Sequence, residues 1–109
     1  MDVARRATFK LLSGQDMIHS WASRDLKDVF EGRLPKGFPP DLFKRARRVL
    51  AQLNAATAPE DMASPPGNRL HKLEGDLAGR WSVSVNAQFR ITFIWGLQGP
   101  EDVWFGDYH

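Results

Sequence analysis

Trp81-Ser82-Val83-Ser84-Val85-Asn86, Phe89-Arg90-Ile91-Thr92-Phe93-Ile94-Trp95 and Val103-Trp104-Phe105 are the stretches that decide the fold. In the first two, large apolar residues recur at every second position, so side chains of one parity share a face and those of the other parity point away. This period of two predicts three strands. The spacers around Asn86-Ala87 and Gln98-Gly99-Pro100 are short enough to join them as an antiparallel meander. Asn-Ala is a poorer hairpin signal than Asn-Gly, because alanine resists the positive φ that a tight turn asks of its second residue. The hairpin therefore rests on the flanking alternation. That alternation also sends Arg90 to the face opposite Phe89 and Ile91, where a guanidinium needs a partner or water. Phe105, Asp107 and His109 share the parity opposite to Trp104, Gly106 and Tyr108.

Upstream the period changes to 3.6. Leu42, Ala46, Val49, Leu50 and Leu53 recur at three- and four-residue spacing around Lys44, Arg45, Arg47 and Arg48, which predicts an amphipathic helix with a basic outer face. Pro39-Pro40-Asp41 marks its start, and Asn54 to Thr57, ahead of Pro59, its stop. A shorter helix precedes it, with Ser23 as cap, Leu26, Val29 and Phe30 turned inward, and Gly32 and Pro35 ending it. Met17 to Trp21 alternates like a short strand. Three prolines and Gly67 between Ala58 and Asn68 predict a loop. The expected architecture is α+β: an N-terminal strand, two helices on one face, then a three-stranded antiparallel meander completing one sheet. Residues 1–16 are expected to be a loosely ordered extension, and 17–109 one domain.

A chain of 109 residues with 42% apolar residues suits a single small core. With no cysteine, disulfides, thiolate metal sites and cysteine nucleophiles are excluded together, and cytoplasm is the default compartment. Arg5-Arg6 is followed by too few apolar residues for an export signal, and no run is long enough to span a membrane. The net charge is only +2, but residues 1–48 hold 11 Lys and Arg against 6 Asp and Glu, and residues 49–109 hold 4 against 7. The plain reading of the basic helix is a solvated face; contact with a polyanion is the alternative.

Several segments in order resemble the HigB branch of the RelE-type toxins: Asn54 to Met62, Arg69-Leu70-His71-Lys72-Leu73-Glu74-Gly75-Asp76-Leu77-Ala78-Gly79, Trp81 to Asn86, Arg90-Ile91-Thr92-Phe93 and Asp107-Tyr108-His109. The likeness runs from about Met17 to His109. It implies the toxin of a type II toxin-antitoxin pair, an endoribonuclease that cleaves mRNA on translating ribosomes without a metal or other cofactor. Implied partners are a helix-turn-helix, HigA-like antitoxin, mRNA and ribosomal RNA, with operator DNA met only through the antitoxin.

The resemblance further implies that His71, Arg90, Asp107, Tyr108 and His109 form the catalytic set. Metal-free RNA cleavage needs a base for the ribose 2′-OH, a cation for charge gathering at phosphorus and an acid for the leaving oxygen. Imidazoles exchange protons near neutrality, so His71 and His109 each suit base or acid. Arg90 can grip two phosphoryl oxygens at once. Asp107 can orient a histidine, and Tyr108 can stack a base or meet phosphate. Lys44, Arg45, Arg47, Arg48 and Lys72 are the expected RNA or ribosome contacts, although Lys72, next to His71 on extended backbone, should point to the other face. Glu74 departs from the family, where many relatives carry lysine three residues after the histidine, and a carboxylate there repels phosphate. A binding module that has lost efficient cleavage is therefore the alternative function. A DNA-binding regulator is disfavoured because nothing reads as a helix-turn-helix. Phe38 and Trp21 are candidate apolar contacts for the antitoxin.

Overall fold

The structure, a computed structural model, describes residues 17–107, so the expected extension at 1–16 and the last two residues, Tyr108 and His109, lie outside the described residues. Helices α1 (Arg24–Phe30) and α2 (Phe43–Ala55) precede a sheet of β1 (His71–Lys72), β2 (Arg80–Ser84), β3 (Arg90–Gly96) and β4 (Gly99–Gly106). The strands lie in chain order, and every neighbouring pair is antiparallel. The fold is α+β with the three-stranded meander the alternation predicts, extended at one edge by β1.

The expected first strand is shortened to a single parallel bridge between Trp21 and Val103. The segment still runs along β4: His19 N–H donates to the Pro100 carbonyl at 2.7 Å, and Val103 N–H donates to that of Ser20 at 3.1 Å. Its first amides go elsewhere. Asn54, at the end of α2, takes the N–H groups of Met17 and Ile18 on Oδ1 at 2.7 and 3.2 Å. Ser23 precedes α1 as expected, but its hydroxyl makes no cap bond and instead accepts the Phe105 N–H at 3.0 Å.

Leu26 and Val29 of α1 and Ala46, Val49, Leu50 and Leu53 of α2 are fully buried against Val83, Val85, Ile91, Phe93 and Val103. Each large aliphatic among them contributes about 1.5–3 kcal/mol relative to exposure. Phe38, expected as an exposed apolar contact, is buried instead, its ring 4.7 Å from Phe105, which stacks in turn on Phe89 at 5.1 Å. Trp21 is half-buried beside Phe30 at 5.8 Å.

The proline-rich stretch folds into two short 3-10 turns, Pro59–Ala63 and Pro66–Asn68. Buried Asn68 holds it by donating to the carbonyls of Met62 and Ser64, while Gln52 of α2 donates to those of Asp61 and Ser64. Asn86 solves the Asn-Ala turn without a left-handed alanine. Its side-chain oxygen accepts the N–H groups of Gln88 and Phe89 at 2.9 and 2.7 Å, as a short polar side chain can do for its own turn. In β4 the pairing shifts between Thr92–Trp104 and Ile94–Glu101, leaving one extra residue in β4, and Asp102 sits in this bulge with a φ of +55°.

Candidate active site on the open sheet face

Register decides which side chains can meet. His71, Ser82, Thr92 and Trp104 are successive cross-strand partners, and Ser84, Arg90 and Gly106 form the next row along the same face. Directly opposed residues point the same way, and Val83, Ile91 and Phe93 turn to the helices, so these rows occupy the face away from them. His71 and Arg90 therefore share one face. Two strand spacings and two residue rises separate their backbones by about 12 Å. Ser82 and Thr92, both buried, form a small polar floor between them.

His71 is exposed on β1, and its Nδ1 lies 3.0 Å from the Arg69 carbonyl oxygen. A carbonyl only accepts, so Nδ1 carries the proton and the neutral ring keeps its lone pair on Nε2. Arg69 itself holds a left-handed φ of +50° at the end of the Pro66–Asn68 turn, which aims that carbonyl at the ring.

Arg90 is half-buried at the start of β3. Its Nη1 donates to the Asn86 carbonyl at 2.7 Å and to that of Phe89 at 3.3 Å. Asn86 thus fixes the hairpin loop with its side chain and the guanidinium with its backbone. Asp107, just beyond β4, accepts from Gln88 Nε2 at 3.2 Å, so this residue is tied to the same loop.

Lys72 does not join this face. It pairs with Trp81 and sets Nζ 5.2 Å from that ring's centroid, on the side opposite His71. The basic face of α2 is exposed as the periodicity predicts, yet most of its cations have work inside the molecule. Arg45 Nη1 donates to the Val85 carbonyl at 2.8 Å, Arg48 reaches Asn68 at 3.1 Å, and the Arg47 guanidinium packs beside Gly32. Glu74 is exposed, in the loop leaving β1 three residues past His71.

Sequence reasoning missed Arg80. From β2 it donates through Nε to Thr92 Oγ1 and through Nη1 to the Asp102 carboxylate, both at 2.9 Å, and through Nη2 to the Asp102 carbonyl. The available signal was its parity with Ser82 and Ser84. Its partner Asp102 shares the parity of Trp104 and Gly106, and so this face, beside the bulge. Among the described residues no group of three or more His, Asp or Glu side chains could hold a metal ion, and no helix is long and apolar enough to cross a membrane.

Residues 19–109 match a family of HigB-like toxins, described as the RelE-like toxin of type II toxin-antitoxin system HigB. Over 75 residues the chain is 40% identical to Toxin HigB-1 of Vibrio cholerae, covering 69% of this chain and 76% of the relative. Over 93 residues it is 32% identical to Endoribonuclease HigB of Proteus vulgaris, covering 85% of this chain and 100% of the relative. A solved YoeB/ParE toxin from Agrobacterium tumefaciens aligns with a TM-score of 0.49 at 15% identity, over 84% of this chain and 97% of that one.

Proposed function

The chain belongs to the HigB-like toxins, RelE-like toxins of type II toxin-antitoxin systems, and on that premise we propose that it is an endoribonuclease that cuts mRNA on translating ribosomes. The observation that carries this reading is the shared open face of His71 and Arg90, with the imidazole oriented so that Nε2 is the proton acceptor. His71 acts as general base on the ribose 2′-OH. The oxygen attacks phosphorus, Arg90 stabilises the charge gathering on the phosphoryl oxygens, and the 5′-oxygen leaves with a proton from His109. Asp107 and Tyr108 complete the set, Asp107 by orienting a neighbour and Tyr108 by stacking a base.

The toxin domain runs from Met17 to the C-terminus and works in the cytoplasm. Its growth-inhibiting activity is held in check by a helix-turn-helix antitoxin of the HigA kind, through which alone it meets operator DNA. The α2 cations, chiefly Lys44 and Arg47, meet ribosomal RNA.

The test is to map mRNA 5′-ends in cells after brief induction of the chain, beside folded His71→Ala, Arg90→Ala and His109→Ala variants. New cuts within translated regions, lost in all three variants, are the expected result. Exposed Glu74 near His71 favours the second reading, an RNA- or antitoxin-binding module with weakened cleavage. That reading takes over if the folded parent leaves no cuts.

A further inference from the structure

We propose that the cleft beside Trp104 is a nucleobase subsite for a base carrying an exocyclic amine, next to the position where Arg90 meets the phosphate. This rests on the ribonuclease reading for its place in the reaction, but not for its existence. The cleft, of about 320 Å³, is lined by Ala22, Leu77, Arg80, Thr92, Asp102 and Trp104. It opens on the face shared by His71 and Arg90, because Trp104 is the cross-strand partner of Thr92.

Three observations point to a base. First, Trp104 presents a ring lying along the sheet: a Cβ on Gly106 would come within 2.4 Å of the indole Cζ2. Only a glycine lets the ring lie there, and Gly106 is the partner of Arg90, so the indole reaches toward the arginine's row. Second, the surrounding apolar groups stay open to solvent. Leu77 and Ile94, which shares this face, are 38% and 37% exposed, although neither packs into the core. A flat apolar ligand in the cleft would cover the Leu77 and Ile94 surface that the fold leaves wet.

Third, the polar edge of the cleft is a built acceptor. The bulge holds Asp102 in the left-handed region, its N–H donates to Ser20 Oγ at 2.7 Å, and Arg80 grips one carboxylate oxygen, Oδ2. Arg80 is only 13% exposed while the Asp102 side chain is 50% exposed, so the guanidinium is a buried anchor and the carboxylate faces out. A fixed carboxylate accepts hydrogen from the amine of cytosine, adenine or guanine, whereas uracil offers only its ring N3–H, flanked by two carbonyl oxygens that the carboxylate repels. About 7 Å of strand separates Trp104 from the row of Arg90, a distance that one extended nucleotide spans.

The test is an NMR titration of the full chain with AMP, CMP, GMP and UMP, following the Trp104 indole N–H and the Leu77 and Ile94 methyls, which needs no cleavage. Saturable shifts with AMP, CMP and GMP, and weaker binding of UMP, are expected. Trp104→Ala should weaken the amine-bearing nucleotides on the order of tenfold, and Trp104→Phe less. Asp102→Asn, which keeps the shape and tolerates the left-handed backbone, should bring CMP and UMP to within about twofold of each other. Absence of shifts at these groups with all four nucleotides overturns the subsite, as does equal binding of CMP and UMP by the parent. If the shifts appear while the parent makes no cuts in cells, the subsite stands and the nuclease reading falls. If cuts appear without the shifts, the reverse holds.

Discussion

Arg45 on the outer face of α2 reaches back to the carbonyl of Val85, 40 residues along the chain, at 2.8 Å. The cation that looks most available for RNA is also a strut between the helix and the end of β2. Arg45→Ala should therefore cost about 1–2 kcal/mol in urea unfolding, since it leaves a carbonyl short of a charged donor. Lys44→Ala should change stability by less than about 0.5 kcal/mol. Equal midpoints for the two variants would show that the strut contributes nothing. To test ribosome contact, Lys44 and Arg47 are the cleaner pair to neutralise, because Arg45 and Arg48 both hold other elements. Their joint loss should lower the salt slope of ribosome binding by about 1–2.

Arg90→Lys keeps the charge but not the planar fork. A lysine there can replace the bond to the Asn86 carbonyl and still fail to grip two phosphoryl oxygens. Single-turnover cleavage on programmed ribosomes should fall about 100-fold, with unfolding stability within about 1 kcal/mol of the parent. A lysine variant as fast as the parent would remove Arg90 from the role assigned to it.

His71→Ala should slow the same single-turnover step by about 10²–10⁴-fold if its Nε2 takes the 2′-OH proton. The informative companion is His71→Asn, whose amide can still donate to the Arg69 carbonyl yet has no basic nitrogen. It should be as slow as the alanine variant. Recovery in the asparagine variant would make His71 a positioning group.

Glu74→Lys reverses a charge three residues from His71. Ribosome affinity should rise, and the slope of log affinity against log salt should steepen by about 1, for one additional phosphate contact. An unchanged slope would mean that Glu74 lies outside the path of the RNA.

The architecture was legible because its signals are local. Alternation from Trp81 to Phe105 sets strand and face, and the 3.6-residue recurrence from Leu42 to Leu53 sets α2. The same parity rule gave Arg90 its face, while its candidate role came from the family resemblance. What escaped depends on contacts distant in sequence. Asn54 diverts two amides from the first strand, so its period of two yields one bridge. The β1 strand is two residues long, too short to show any period. The Arg80–Asp102 pair escaped because parity gives each residue its face but not the register that sets β2 and β4 side chains against each other across β3. Phe38, in a loop with no period at all, gave no sign that it would fill the aromatic stack with Phe105 and Phe89.

The segment from His19 to Ala22 occupies the outer edge of β4, and the opposite edge of the sheet is only two residues long. Proteins guard such edges because unpaired backbone groups recruit other strands. Here one border is already filled by the chain itself and the other is too brief to template a second molecule. A partner that inhibits this toxin by donating a strand would have to evict residues whose amides are already bonded. Among the described residues, the sheet edges thus favour inhibitors that grip through side chains.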